Sequence, residues 1–315
     1  MLFTGCASQA PLLPPLVDSQ GVTTQLELTD TPFHPQKQYQ CGPAALATLL
    51  EQSGVSVSVE SLVPLVYLPE KKGSLQIEML AASRRLGRIP YVIDPSLASL
   101  LAELQAKRPV LVLQNLGIRI WPVWHYAVVI GYSAEADEVI LRSGINRRET
   151  LSVHRFLGTW EAGSNWAMIV LEPGELPARP EPLPYLKAVA AMEQLLPAKA
   201  LIAAYQAALN QWPESPIARF GIAASQHSEG ALRAAELGYR KLLAIHPDYI
   251  PAYNNLAEVL ADRGCFDEAL ETLHRALQKM PGELSQHLHA TRREIEERAI
   301  NNPSQISACQ GDTNN

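Results

Sequence analysis

Hydrophobic and polar positions divide this chain into two stretches with different rhythms. In the first, Leu46, Leu49 and Leu50 fall at helical spacing and predict a helix opening near Cys41. Further helices are predicted over 58–67, 74–86 and 97–106, the second with Ser74 as its N-cap and Gly87 as its stop. Apolar and β-branched runs then predict strands at 109–113, 125–130, 138–141, 150–153 and 166–171, with a polar hairpin loop over 133–137. Helices first and a largely antiparallel sheet afterwards make an α+β domain over 31–172, its first helix lying against the sheet.

Pro173, Pro177, Pro180, Pro182 and Pro184 follow, too dense for a helix or a central strand, so 173–184 reads as a stiff linker. Beyond it a 34-residue period sets in. Tyr253, Leu256, Ala257, Gly264, Ala269, Ala276 and Pro281 mark the last unit. Ile222, Ala223, Gly230, Ala235, Tyr239 and Pro247 hold the same phases one period earlier, and Tyr185, Ala188, Tyr205, Ala208 and Pro213 fit more loosely before them. The pattern resembles tetratricopeptide repeats, which implies an all-α domain of helix pairs over 185–300, closed by a covering helix from 284. Such a stack is expected to bind a protein partner. The remaining stretch, 301–315, is polar and is expected to be disordered.

Composition narrows the function. At 315 residues two domains are the natural expectation, and a net charge of −6 argues against nucleic acid as a main partner. No apolar run of about eighteen residues offers a membrane span. The four cysteines, Cys6, Cys41, Cys265 and Cys309, have no metal-ligand spacing and no disulfide framework, although Cys265 and Cys309 could pair in an oxidising compartment. His287 and His289, two residues apart, face different sides of a helix. Neither a metal nor a cofactor is expected.

Two segments carry candidate chemistry. Cys41-Gly42-Pro43 stands where a loop gives way to a helix, so the thiol feels the positive end of the helix dipole, which favours the thiolate. Downstream, His125 opens the strand Tyr126-Ala127-Val128-Val129-Ile130, a position from which a base can face a cleft. Trp121 and Trp124 flank it and suit either a cleft wall or the core.

Cys41-Gly42-Pro43-Ala44-Ala45-Leu46, His125-Tyr126-Ala127-Val128 and Gly131-Tyr132 resemble the bacteriocin-processing, double-glycine-leader cysteine peptidases and their stand-alone relatives. The resemblance spans roughly 33–171. It implies a papain-like fold with Cys41 as nucleophile, His125 as general base and an upstream glutamine as oxyanion donor. Gln36 is the choice for that glutamine, with Gln38 and Gln40 as rivals. The family follows its His-strand with a strand ending in Asp-Pro. Here Ser143 stands at the aspartate's place and Asn146 three residues on, so either could orient His125.

Two functions are therefore expected in competition. One is a thiol peptidase whose repeats recruit a partner or substrate; the other is a peptidase-fold module that only binds peptides. Family relatives on exporters trim glycine-glycine leaders, but no nucleotide-binding motif here supports inheriting that substrate. Thr4-Gly5-Cys6-Ala7-Ser8 resembles the end of a lipoprotein signal, with a proline-rich tether behind it over 1–30. Either the true start lies upstream of Met1 or Cys6 is incidental; Cys6 lipidation and a periplasm-facing place at the cell envelope are the expectation.

Overall fold

The computed structural model describes residues 16–18, 21–23, 25–279 and 285–301. Two compact units divide the chain: Met1–Glu172 with Leu176–Glu181, and Pro173–Glu175 with Pro182–Asn315.

The first unit opens with a hairpin of β1 (Leu16–Asp18) and β2 (Gly21–Thr23), then β3 (Gln25–Glu27). The helices α1 (Cys41–Gln52), α2 (Val59–Val66) and α3 (Gln76–Arg85) follow, with a 3-10 turn at Pro69–Lys71. Next come β4 (Ile89–Val92), α4 (Leu97–Gln105), β5 (Val110–Asn115) and β6 (Trp124–Ser133). The unit ends with β7 (Glu138–Ser143), β8 (Asn146–Ser152), α5 (Val153–Glu161) and β9 (Ala167–Leu171). The sheet order is β4-β9-β5-β6-β7-β8, and every pairing is antiparallel. β3 pairs with β6 at Gly131–Ser133, just past the stretch Trp124–Val129 that β5 occupies. This is the α+β arrangement expected.

α1 sits at the centre of the unit. Every residue from Gly42 to Leu50 is buried. Leu46, Leu49 and Leu50 pack with Leu111, Tyr126, Val128, Ile130 and Met168 of the sheet, so burial rather than capping holds the helix. The sheet leaves little room elsewhere: a Cβ on Gly131 would lie 2.3 Å from the Leu26 carbonyl oxygen across the β3–β6 pair.

Several expectations change. The tether does not reach residue 30, because β3 already belongs to the sheet and Arg148 grips Glu27 with Nε and Nη2. A three-residue strand is too short to show a period. The linker over 173–184 is shorter than expected. Pro182 and Pro184 lie in the first turn of α6 (Pro182–Ala190), where a missing N–H costs nothing. Leu176–Glu181 belongs to the first unit, with the Ala178 N–H donating to Glu103 Oε1 at 2.7 Å. Ser74 is not a cap: α3 begins two residues later, behind Leu75. β4 and α5 went unpredicted. α5 follows β8 without a turn, and Ser152 closes the strand and caps the helix by accepting from the Arg155 N–H.

The second unit is helical: α6, α7 (Ala198–Gln211), α8 (Pro216–Ser228), α9 (Leu232–Ile245), α10 (Ile250–Asp262), α11 (Phe266–Lys279) and α12 (Gln286–Asn301). Gly230 and Gly264, 34 residues apart, both take φ of +80° between the paired helices, where a side chain would strain the turn. Ala223, Ala235, Ala257, Ala269 and Ala276 form the small-residue seam of the core around the buried Tyr239, and Leu288 and Ile295 of α12 close it. Asp262 accepts from His227 and from Arg298, which ties α8, α10 and α12 together. Cys265 is disulfide-bonded. Cys309, the partner the sequence allows for it, lies outside the described residues, as do Cys6 and the tail.

Gly131→Ala is expected to lower stability by about 1–3 kcal/mol, because backbone atoms must move to admit the methyl. Gly158 in α5, with nothing within 4 Å of a new Cβ, should respond with the opposite sign, gaining up to about 1 kcal/mol as alanine. Urea melts of the two variants check the pair.

Candidate active site

The chain enters α1 through a tight turn. The Gln40 N–H donates to the Lys37 carbonyl at 3.0 Å, and Tyr39 takes φ of 63°, a left-handed conformation uncommon for a tyrosine. Cys41 is the first residue of the helix. Gly42 follows because nothing larger fits: its Cβ would stand 2.2 Å from Ser74 Oγ. Tyr126 Oη donates to the Ser74 carbonyl at 3.3 Å, so the residues before α3, the first turn of α1 and β6 are held in one place.

His125 is the second residue of β6 and only 9% exposed. Its Nε2 lies 3.0 Å from Ser143 Oγ, at the end of β7. Its register partner on β5 is Gln114, which donates to Thr159 Oγ1 of α5 at 2.7 Å. After Ser143 the chain reverses through Gly144, φ 61°, and the Gly144 carbonyl accepts from the Gln36 N–H at 3.1 Å. The neighbouring Arg142 faces the other way. Its buried guanidinium donates to the carbonyls of Thr29 and Thr31, both at 3.0 Å, and to that of Arg147. These bonds fasten the segment leading to Gln36 onto the β7–β8 hairpin.

Cys41, His125, Gln36, Tyr126 and Trp124 line one open cavity of about 660 Å³. Lys71 and Lys72 stand on its wall, the latter with its ammonium 5.8 Å from the Tyr39 ring centre. A second cavity, of about 10 Å³ and the size of one water, lies behind Cys41, with Gln36, Arg142 and Ser143 in its lining.

Burial pushes the Cys41 thiol above its ordinary value, although hydrogen bonds from backbone N–H groups, that of Tyr126 first, pull the other way. This corrects the thiolate expected from the helix dipole: desolvation outweighs the N-terminal field. Burial likewise pushes His125 down, opposed by the charge of Glu149. A neutral thiol and a neutral imidazole on the wall of one cavity are the resting state these shifts favour near pH 7.

Four expected residues thus come together: Cys41, His125, Gln36 and Ser143. Asn146 does not join them. It opens β8, exposed, across the turn from Ser143, because the hairpin turns too tightly to fold back. Gln38 is exposed and Gln40 is the residue before α1, and neither lines the two cavities. Trp124 faces the cleft, whereas Trp121 is 76% exposed on the β5–β6 hairpin. Glu149, Lys71 and Lys72 were not foreseen, since nothing in sequence spacing ties them to His125 or Cys41. Among the described residues no cluster of His, Cys, Asp or Glu could hold a metal. No described helix is long and apolar enough to cross a membrane.

The sequence profile of the Peptidase_C39 like family matches residues 25–168, and a tetratricopeptide repeat profile matches 227–291. The chain therefore carries a C39-like peptidase domain followed by tetratricopeptide repeats. Solved structures similar to it include a protein from Bacillus anthracis described as a C39-like peptidase, at 17% identity and a TM-score of 0.39, covering 47% of this chain and 98% of that one. Another is the peptidase domain of Streptococcus ComA, a bi-functional ABC transporter, at 22% identity and a TM-score of 0.38, covering 44% and 97%. A thermophilic tetratricopeptide protein of Thermus thermophilus aligns at 20% identity and a TM-score of 0.34, covering 41% and 75%. No curated protein matches the chain.

The lowered pKa of His125 has a consequence for stability. Protonation favours the unfolded chain, in which the imidazole titrates near 6.5, so this contribution is present above that pH and is lost as pH falls towards the folded-state value. His125→Gln cannot protonate. It is expected to lose less stability than wild type between pH 7.5 and pH 5, as measured by thermal melts across that range.

Proposed function

We propose that the first unit is a cysteine peptidase that hydrolyses peptide bonds, and that the repeats recruit a protein substrate or partner. The observation that carries this reading is the convergence of Cys41, His125 and Gln36 on one open cavity, with Ser143 on the histidine's Nε2. In the tautomer that donates from Nε2 to Ser143, Nδ1 is left to accept a proton. His125 takes the Cys41 proton as the sulfur attacks the substrate carbonyl. The Gln36 amide and the Cys41 N–H steady the oxyanion. His125 returns the proton to the leaving amine, and water then hydrolyses the thioester by the same base. Because the resting pair is neutral, the proton moves during attack rather than before it.

A second reading is favoured by one observation: Ser143 stands where a carboxylate would stabilise the imidazolium, so the domain would bind peptides without cutting them. The Thr4-Gly5-Cys6 run supports placing the protein at the cell envelope through a lipidated Cys6. Loss of membrane fractionation on Cys6→Ser, in protein expressed from its native locus, checks that placement.

Catalysis is tested with a defined pool of synthetic peptides analysed by mass spectrometry. Wild type is expected to generate new termini, while Cys41→Ala and His125→Ala, with unchanged circular dichroism, generate none. Gln36→Ala should slow cleavage by about 10²–10³-fold. Equal cleavage by wild type and Cys41→Ala would sink the reading, and so would an intact wild type that cuts nothing in the pool.

A further inference from the structure

The sheet places one carboxylate on the histidine's side that the expected triad does not include. Cross-strand partners share a face of a sheet. Val129 of β6 pairs with Leu141 of β7, and Leu141 pairs in turn with Glu149 of β8. His125 lies two full pleats before Val129, and Ser143 one pleat beyond Leu141, so all of them share that face. The 3.0 Å contact between His125 Nε2 and Ser143 Oγ agrees with this placement. Glu149 therefore stands one pleat from Ser143 across the β7–β8 pair, whose register shifts between Leu141 and Ser143, a diagonal that a long side chain can span.

We infer that Glu149 is the positioning residue that supplies, from β8, the negative charge missing at Ser143 of β7, and that it stabilises the His125 imidazolium formed when Cys41 gives up its proton. This deepens the peptidase reading and rests on it. Glu149 is partly buried and makes no ion pair among the described residues, so its charge is not already neutralised by a partner. It is also the one charge that opposes the burial-driven fall of the His125 pKa.

The other charged groups around this face do not take that part. Arg142 points to the opposite face and is engaged with backbone carbonyls. On β8, Arg147 is exposed, and Arg148 is exposed and bound to Glu27. From α5, which packs on the histidine's side through Thr159 and Gln114, come His154, Arg155 and Glu161, all exposed. Across the cavity stand Lys71, Lys72 and the Cys41 thiol, whose charges would disfavour or accompany the imidazolium rather than replace an acid. Ser143 orients the ring through a hydrogen bond, and Glu149 balances its charge.

The test is an NMR titration of the full chain, following the His125 imidazole, its signal assigned by its loss in His125→Gln. Glu149→Gln is expected to move the His125 midpoint to lower pH, while Glu149→Asp, which keeps the charge, holds it close to wild type. The same proteins are assayed on the peptide pool, where Glu149→Gln should cut several-fold more slowly than wild type. A wild type that cuts peptides but whose His125 midpoint is unmoved by Glu149→Gln would overturn the inference, as would an equal fall in Glu149→Asp. A midpoint that falls in Glu149→Gln alone supports the coupling even if wild type cuts nothing. In that case only the peptidase reading fails.

Discussion

The position of the thiol depends on one close contact, the approach of Gly42 to Ser74. With only 2.2 Å between Ser74 Oγ and the place a Cβ would occupy, the first turn of α1 packs directly against Ser74. The apolar face of α1 against the sheet supplies the force, and Tyr126, bonded to the Ser74 carbonyl, supplies the alignment. Because Tyr126 follows His125 on the same strand, the contact that fixes the cysteine also fixes the histidine. Cleft geometry is in this sense a by-product of core packing, and precision of this kind comes more readily from a helix and a strand than from loops.

Deep seating has an electrostatic cost. Cys41 and His125 are both largely buried at the cavity wall, so each is pushed towards its neutral form, and the backbone N–H groups around the thiol do not reverse this. A site that also lacked any nearby anion would make the imidazolium harder still to form. Ser143 offers a hydrogen bond but no charge, which is why the next strand matters. The carboxylate of Glu149, on the same face of the sheet and diagonal to Ser143, acts in the direction that burial opposes.

Much of this was legible in the sequence, for physical reasons that differ from residue to residue. Cys41 and His125 stood at the starts of strongly patterned elements, whereas Gln36 and Ser143 were reached through the family resemblance, with Gln38 and Gln40 left open beside Gln36. The repeats announced themselves by small residues and glycines at one phase, and Gly230 and Gly264 indeed hold the turns. What escaped was decided by three-dimensional neighbours. Ser74 looked like a cap but serves as the floor under Gly42. Asn146 looked able to fold back, yet the two-residue turn through Gly144 and Ile145 carries it away. Glu149 sits in a polar run just before the strand read at 150–153, and its relation to His125 exists solely through the register of β6, β7 and β8. Pro182 and Pro184 misled for another reason: a proline that breaks a helix interior is welcome in its first turn.

The proposed chemistry requires His125 to activate Cys41 across the cleft. The rate at which iodoacetamide alkylates Cys41 at pH 7.5, read by mass spectrometry of the Cys41 peptide, tests it without knowledge of a substrate. Cys265 is in a disulfide and does not compete while the protein is kept unreduced. Wild type is expected to react at least about tenfold faster than His125→Ala, since the base must draw the proton from a thiol that burial keeps protonated. Equal rates in the two proteins would contradict it.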